Sequence, residues 1–262
     1  NPSPPPFLPP MANRLQLFAL PGIPEVRPGD DLAQLLCDGL ERADLVPTDG
    51  DVVAIAQKIV SKAEGRIVHL REIEPSQRAI ELAREVDKDP RLVEVILGES
   101  TEVVRHRAGV LVVAHRLGLV LANAGVDHSN VAGDEEIVLL LPEDPDASAR
   151  RLQQELSRRY ASHLGVLIND SLGRAWRLGT VGVAIGGAGF SPLLDLRGEP
   201  DRHGRALRVS VVGHADELAA AASIVMGQGA EGTPAVLIRG LEVTPGAPAR
   251  DLVRPVDEDL FR

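Results

Sequence analysis

The sequence predicts an α+β or mixed α/β fold, with mixed β-sheets, meander strands and flanking helices. Two observations lead there. Over most of the 262 residues, apolar runs bounded by turn residues alternate with stretches of helical periodicity, the mark of strand–helix units. Between residues 102 and 122, however, three short strand patterns follow one another on tight connections such as Arg116-Leu117-Gly118, the mark of an antiparallel meander.

Taken in order, residues 15–20 read as a first strand, closed by the Pro21-Gly22-Ile23-Pro24 turn. Asp30 or Asp31 caps a helix to about residue 45, whose leucines recur three and four apart. The Asp49-Gly50 turn leads into residues 51–60, a buried strand ending at Ser61, Lys62 and Gly65. Residues 75–88 are helical, and Asp89-Pro90 opens another helix with an N-cap and a proline at the first helical position. Gly98 stops it. The meander strands lie near 102–106, 110–114 and 119–122, and 137–141 is a further strand closed by Pro142. Asp146 or Ser148 opens an amphipathic helix to about residue 163. Residues 166–168 form a buried strand ending at Asn169-Asp170, and 180–184 a strand followed by the glycines 186, 187 and 189. Residues 206–212 are a strand, 216–226 an alanine-rich helix, and 234–238 a last strand. Residues 1–11 are a proline-rich leader expected to be disordered, with Met11 as a natural start; residues 244–262 lack apolar periodicity and read as a tail or linker.

Composition narrows the function. A net charge of −10 argues against general nucleic-acid binding, which needs a basic surface, but leaves room for a local basic pocket. Aromatics are 2% of the chain, so the core is built from Val, Leu, Ile and Ala. Cys37 is the only cysteine, which excludes an internal disulfide, gives no support to cysteine-held metal sites, and fits a reducing cytoplasm. Its place among Leu32, Leu35, Leu36 and Leu40 is that of a small core residue. No apolar run approaches the about 18 residues of a membrane span, and the N-terminus lacks a signal-peptide pattern.

Four segments carry chemistry-bearing residues. Residues 57–66 place Lys58, Lys62 and Arg66 just past a buried strand, where ligands meet a scaffold; solvated surface cations would look the same. Asp127 is preceded by small residues and followed by Asn130, a donor set suited to Mg²⁺ or Mn²⁺, although spacing alone favours a turn bonded to its own backbone. Asp170 and Ser171 stand at a strand end and can chelate a metal together, with Arg174, Trp176 and Arg177 close behind; a helix cap with surface arginines is the alternative. Residues 226–233 hold three glycines whose N–H groups can approach an anion, or else cap a helix. A P-loop, a Gly-x-Ser-x-Gly elbow and zinc-type histidine spacing are all missing from the sequence.

Together these motifs resemble the coenzyme F420:L-glutamate ligase family, over residues 15–239. The resemblance is carried by Gly22-Ile23-Pro24-Glu25, by Gly29 to Asp31, by Lys58 to Arg66, by Ala124 to Asn130, by Asp170 to Arg177 and by Ala215 to Ala220, in that order. It implies a two-lobed ligase domain over 12–243 and a cytoplasmic homodimer. It also implies a GTP-dependent amide ligase that activates coenzyme F420-0 as an acyl phosphate and adds L-glutamate, with Mg²⁺ or Mn²⁺ at two sites. Carried onto this chain, Asp127, Asp170, Ser171 and Gln228 match metal ligands, and Asp127, Asp170 and Lys62 form the catalytic set. Ile23, Pro24, Glu25, Val26, Gln57, Lys62, Asn130, Met226, Gly227, Gln228, Gly229, Ala230, Glu231, Gly232 and Thr233 match guanine-nucleotide contacts. Ser171 stands where many relatives have threonine, and Gln57 where serine is frequent. Arg174 and Arg177 are expected to hold an anionic substrate, either glutamate or the cofactor phosphodiester. The end of the tail resembles the junction before a flavin-binding domain in two-domain relatives. A metal-dependent nucleotide phosphohydrolase and a non-catalytic nucleotide- or cofactor-binding module are the competing readings.

Overall fold

The apolar run that begins at Val52 and the one that begins at Gly165 become the two central neighbours of a sheet. In the computed structural model, which describes residues 14–127, 136–229, 231–241 and 246–260, the chain begins with β1 (Gln16–Ala19), α1 (Leu32–Arg42), β2 (Val52–Ala56), α2 (Gln57–Ala63) and β3 (Ile67–His69). It continues through α3 (Gln77–Val86), α4 (Pro90–Gly98), β4 (Ser100–Arg107), β5 (Val110–His115), β6 (Val120–Ala122) and β7 (Ile137–Leu139). Then come α5 (Pro145–Tyr160), β8 (Gly165–Arg174), β9 (Arg177–Ala188), β10 (Leu194–Asp195), β11 (Val211–Val212), α6 (His214–Met226) and β12 (Ala235–Arg239).

The main sheet has five strands in the order β1-β12-β2-β8-β9. The β2–β8 pair is parallel and the other three pairs are antiparallel, so the sheet is mixed, as the alternation of motifs predicts. Both faces are covered. Val53 and Ile55 point into one aliphatic core with Leu36, Leu40, Val166 and Ile168, while Val52 and Ala54 point into another with Leu167, Ala219 and Ala222 of α6. Residues 52–55 of β2 are fully buried, which explains why their stretch reads as continuous rather than alternating.

Several boundaries differ from expectation. The run 51–60 is not one strand: β2 ends at Ala56 and α2 begins at Gln57. Gln57, Ile59, Val60 and Ser61 are all buried, and an apolar run buried on every side carries no period by which strand and helix can be told apart. β9 passes through Gly186 and Gly187 rather than stopping before them. A Cβ at Gly186 would come within 2.6 Å of Pro145, and one at Gly182 would overlap the Ala219 carbonyl, so these glycines let α5 and α6 lie directly on the strand. The expected strand 206–212 shrinks to β11, whose only ladder is with β10. The cap of α5 is Asp144, which accepts the Ala147 N–H at 3.0 Å, with Pro145 at the first helical position. Asp146 is instead buried, accepting the N–H groups of Gly187 (2.9 Å) and Ala249 (2.8 Å) and pairing with Arg250 (2.8 Å). These bonds fasten residues 249–250 to the sheet. Among the described residues no helix is long and apolar enough to cross a membrane.

The meander β4-β5-β6 forms a second, antiparallel sheet, and with α3 and α4 it encloses a core of its own around Leu70, Val93, Ile96, Leu111 and Val138. Glu99, at the end of α4, ties this lobe to its surroundings. Its carboxylate receives Arg66 at 2.9 Å, from the connection after α2, and Arg116 at 3.2 Å; the buried His115 Nε2 lies 3.5 Å away. Arg66 also donates to the Leu141 carbonyl and Arg116 to that of Glu143, both at 2.9 Å. Burial alone would raise the Glu99 carboxyl, but His115, Arg66 and Arg116 outweigh it and hold it at about 2, against an ordinary 4.5.

A folded-state value below the unfolded one means that the carboxylate stabilises the fold above pH 4.5 and that this contribution disappears as pH falls toward 2. Glu99→Gln should therefore lose about 3 kcal/mol in urea unfolding at pH 7, since it leaves two guanidinium groups facing a neutral partner. The gap to wild type should close as the titration is repeated down to pH 2–3.

Candidate active site

Topology brings four segments to one edge of the main sheet. β2 and β8 are parallel, so Gln57 and Lys58 after the first, and Asn169 to Ser171 of the second, emerge together. β12 is antiparallel to β2, with Ala235 opposite Ile55, so the glycine-rich segment preceding it arrives at the same edge. β1 is antiparallel to β12, with Ala19 opposite Val236, so Ile23 to Glu25 leave there too. Between them lies a cleft of about 390 Å³ lined by Ile23, Pro24, Glu25, Gln57, Lys58, Asn169, Asp170, Ser171, Met226 to Gly229, Gly232 and Thr233. A larger hollow of about 780 Å³ lies elsewhere, beside Asp146, Asp216 and Arg250. Volume does not decide between them; the first sits at the carboxyl ends of parallel strands, where open α/β sheets bind ligands.

Asp127 reaches this edge from the other lobe. Asn123 and Ala124 take left-handed φ values of 52° and 54°, and Asp127 then exchanges two backbone hydrogen bonds with Leu139 of β7, at 3.0 and 2.9 Å. The backbone of Asp127 is thus pinned to a strand, and its side chain points to α2: Oδ2 lies 2.5 Å from Lys58 Nζ. Asp170 keeps partial access to solvent and accepts the Ser171 N–H at 2.8 Å. Burial pushes its carboxyl above the ordinary range; the Ser171 N–H and the Lys58 ammonium pull it back, and the Asp127 charge pushes it further up. The two aspartates and Lys58 therefore sense one another.

Of the residues expected from the sequence, Ile23, Pro24, Glu25, Gln57, Asp170, Ser171, Met226, Gly227, Gln228, Gly229, Gly232 and Thr233 line the cleft. Val26 is buried behind it. The carboxamide oxygen of Gln57 is taken by the Ser61 hydroxyl at 2.9 Å. Glu231 folds its carboxylate over the glycine loop, accepting the Gly229 N–H at 2.7 Å and resting against Gly227. Lys62, one helical turn after Lys58, is mostly buried and faces Glu25 at 3.6 Å rather than the aspartates. Arg174 and Arg177 lie at the exposed turn between β8 and β9, outside the cleft lining, with Arg174 bonded to the Leu178 carbonyl at 3.1 Å. Asn130 and Ala230 lie outside the described residues. Two cleft residues were given no individual site role from the sequence. Lys58 figured there only among the cations of 57–66, its place blurred by reading residues 51–60 as a single strand. Asn169 is 5% exposed, donates to the Met226 sulfur at 3.4 Å, and has an Oδ1 with no partner among the described residues.

The donor set suits a hard divalent cation. Two carboxylates, the Ser171 hydroxyl and the Gln228 carboxamide are all oxygen donors, and among the described residues no third acidic, histidine or cysteine group joins them. Mg²⁺ and Mn²⁺ accept so few protein ligands when water and phosphate oxygens complete the shell. A buried carboxylate that a nearby carboxylate pushes further toward protonation is also an arrangement that a bound cation relieves.

The sequence model of the F420-0:Gamma-glutamyl ligase family matches residues 22–240. Coenzyme F420:L-glutamate ligase of Methanothermobacter thermautotrophicus is 46% identical over 251 residues, covering 95% of this chain and 99% of that protein. The protein of the same name from Methanopyrus kandleri is 46% identical over 253 residues, 95% of this chain and 98% of its own. That of Haloarcula marismortui is 43% identical over 254 residues, 95% and 96% respectively.

A carboxyl raised in the folded state destabilises the fold at pH values above its unfolded range, because folding then takes a charge out of water. Asp170→Asn should accordingly melt at a higher temperature than wild type at pH 8 in the presence of a chelator. The difference should shrink as pH falls through the ordinary carboxylate value of 3.8 and vanish below it, where wild-type Asp170 carries its proton in both states. A lower melting point for the variant at pH 8 would contradict this account of the cleft.

Proposed function

Because the chain belongs to the F420-0:gamma-glutamyl ligase family, we propose that it is a GTP-dependent amide ligase joining L-glutamate to coenzyme F420-0. The observation that carries the reading is the pairing of Asp127, from the second lobe, with Lys58 of the cleft that Asp170 and a glycine-rich loop line. Phosphoryl transfer asks for positioning and charge neutralisation more than for a protein nucleophile, and the cleft offers those.

In the reaction, the terminal carboxylate of coenzyme F420-0 attacks the γ-phosphorus of GTP, and the bond to the bridging oxygen breaks to release GDP. The resulting acyl phosphate is attacked at its carbonyl carbon by the uncharged α-amine of glutamate. Phosphate leaves and the new amide nitrogen loses one proton. Gly227, Gly229 and Gly232 carry no side chains of their own, so the loop backbone can approach an anion closely once the Glu231 carboxylate on the Gly229 N–H is displaced, and Gly227 and Gly232 hold φ values of 73° and 68° that favour glycine. Asp127, Asp170, Ser171 and Gln228 would hold Mg²⁺ or Mn²⁺, which when bound offsets the phosphate charge. Ile23 to Val26, Gln57, Lys62 and the loop 226–233 border the guanine nucleotide, with Asn130 beside Asp127 in sequence. Further γ-linked glutamates can follow by the same steps.

The β8–β9 hairpin supports a homodimer. At its tip Trp176 is 92% exposed and Leu178 98% exposed, on an arm that also carries Arg174 and Arg177. Large apolar side chains projected together into water mark a contact surface. In a dimer the two arginines would meet an anionic substrate from the arm rather than from the cleft floor.

Incubation with GTP, Mn²⁺, L-glutamate and coenzyme F420-0 should add one or more glutamyl units by mass, with nucleotide cleavage dependent on both glutamate and coenzyme F420-0. GTP turnover without glutamate would point to a phosphohydrolase instead. Asp127→Asn and Asp170→Asn should each lower the ligation rate by at least about 10²-fold, the order expected when a group stabilising transferring phosphate is removed. The double substitution Trp176→Ser with Leu178→Ser should shift the molar mass in light scattering from dimer to monomer.

A further inference from the structure

Lys58 stands apart from the residues given a role above. It is the second residue of α2, immediately past the end of β2, and it lines the cleft. Its ammonium lies 2.5 Å from Asp127, and Lys58 and Asp170 line the same cleft, so one cation stands within reach of both aspartates. The pair is open to exchange: the Lys58 side chain is 41% exposed and that of Asp127 23%. Lysine is suited to this, since its charge rides on a flexible four-carbon stem and binds as a point charge without a fixed fork.

From this geometry, and resting on the metal reading of Asp127 and Asp170 proposed above, we infer that Lys58 is the internal cation that a divalent ion replaces. In the metal-free protein its ammonium holds the two carboxylates, one from each lobe, against their mutual repulsion. A divalent ion competes for the same oxygens, and the ammonium, repelled by the incoming charge, swings on its stem toward the glycine-lined side of the cleft. There it meets the phosphate oxygens of the nucleotide. Lys58 is thus a positioning residue for the aspartates before the metal enters and a phosphate contact afterwards. A merely structural ion pair would weaken metal binding when broken, because Asp127 would lose its orientation; a competing cation has the opposite effect.

The test is Mn²⁺ binding to the full chain without nucleotide at low ionic strength, followed by the free-Mn²⁺ electron paramagnetic resonance signal. Wild type, Lys58→Met, Lys58→Arg and Asp170→Asn are compared, with circular dichroism as the check on folding. Lys58→Met should bind Mn²⁺ about 10-fold more tightly than wild type, as expected for removing one unit of opposing charge at close range, and Lys58→Arg should stay near wild type. With Mn²⁺ saturating, the affinity of Lys58→Met for GDP should fall about 10-fold, the order of one lost charge-assisted contact. Mn²⁺ binding that Asp170→Asn abolishes, but that Lys58→Met leaves equal or weaker, overturns the inference while leaving the metal reading intact. Mn²⁺ binding unaffected by Asp170→Asn, or none in wild type and Lys58→Met alike, removes the metal reading and the inference with it. Should Lys58→Met fail to fold, Lys58→Gln carries the same comparison.

Discussion

The parallel pairing of β2 with β8 is the constraint from which the rest of this molecule follows. Both strands are covered on both faces, so their side chains must be apolar, and their backbone groups are satisfied only within the ladder. Polar chemistry is excluded along their length and collects where the ladder ends, at Gln57 and Lys58 and at Asn169, Asp170 and Ser171. Because β12 and β1 continue the sheet in alternating directions, their loops are delivered to that same edge. The close approach of α5 and α6 at Gly186 and Gly182 keeps the layer thin enough for the α6 terminus to reach the cleft. The glycine-rich loop follows from there.

Among the described residues, the second lobe brings one side chain of the proposed site to this edge, Asp127, and several of its bonds hold that residue in place. The two hydrogen bonds with Leu139 fix its backbone, and β7 in turn pairs with β3, which follows α2 directly. Arg66, between α2 and β3, is locked by Glu99 and the Leu141 carbonyl. One connection thus leads from the Glu99 network to the helix bearing Lys58, and another to the strand that pins Asp127. The site is sensitive to the packing between lobes for this reason, although Glu99 itself lies outside the cleft lining.

Much of this was legible in the sequence, and the failures share a cause. The polar caps at Asp31 and Asp89 were readable because a cap is a local event between a side chain and a nearby N–H. The meander was readable because its turns are short. The β2–α2 boundary was not, since both elements are buried and neither shows a period; with it went the position of Lys58. Asp127 could not be told from a turn residue, because what makes it otherwise is Leu139, twelve positions on, and Lys58, on another element. Lys62 and Lys58 are one helical turn apart, and only the docking of α2 decides that the first faces Glu25 and the second the aspartates. Asn169 gave no signal at all: what marks it is a carboxamide oxygen that, packed beside Met226 and Gly182, has no partner among the described residues.

Acidic and basic side chains pair with one another around the cleft. Lys58 answers Asp127 and Asp170, Lys62 answers Glu25, and the Glu231 carboxylate rests on the Gly229 N–H at a loop built to receive an anion. On the proposed reading each of these groups stands where a ligand of the same charge sign would act: an ammonium at a cation's place, a carboxylate at a phosphate's. Binding is then an exchange rather than an addition, and its net free energy is the difference between new contacts and the internal pairs they break. Such an arrangement keeps a buried carboxylate such as Asp170 tolerable in the empty protein, where it would otherwise be left without compensation. It also links the two ligands. On the proposed reading, a divalent ion arriving at the aspartates would release an ammonium, and a nucleotide arriving at the glycine loop would release a carboxylate that the ion attracts, so each would make the other's entry more favourable. Cooperative binding of metal and nucleotide would then follow from the placement of two side chains, Lys58 and Glu231.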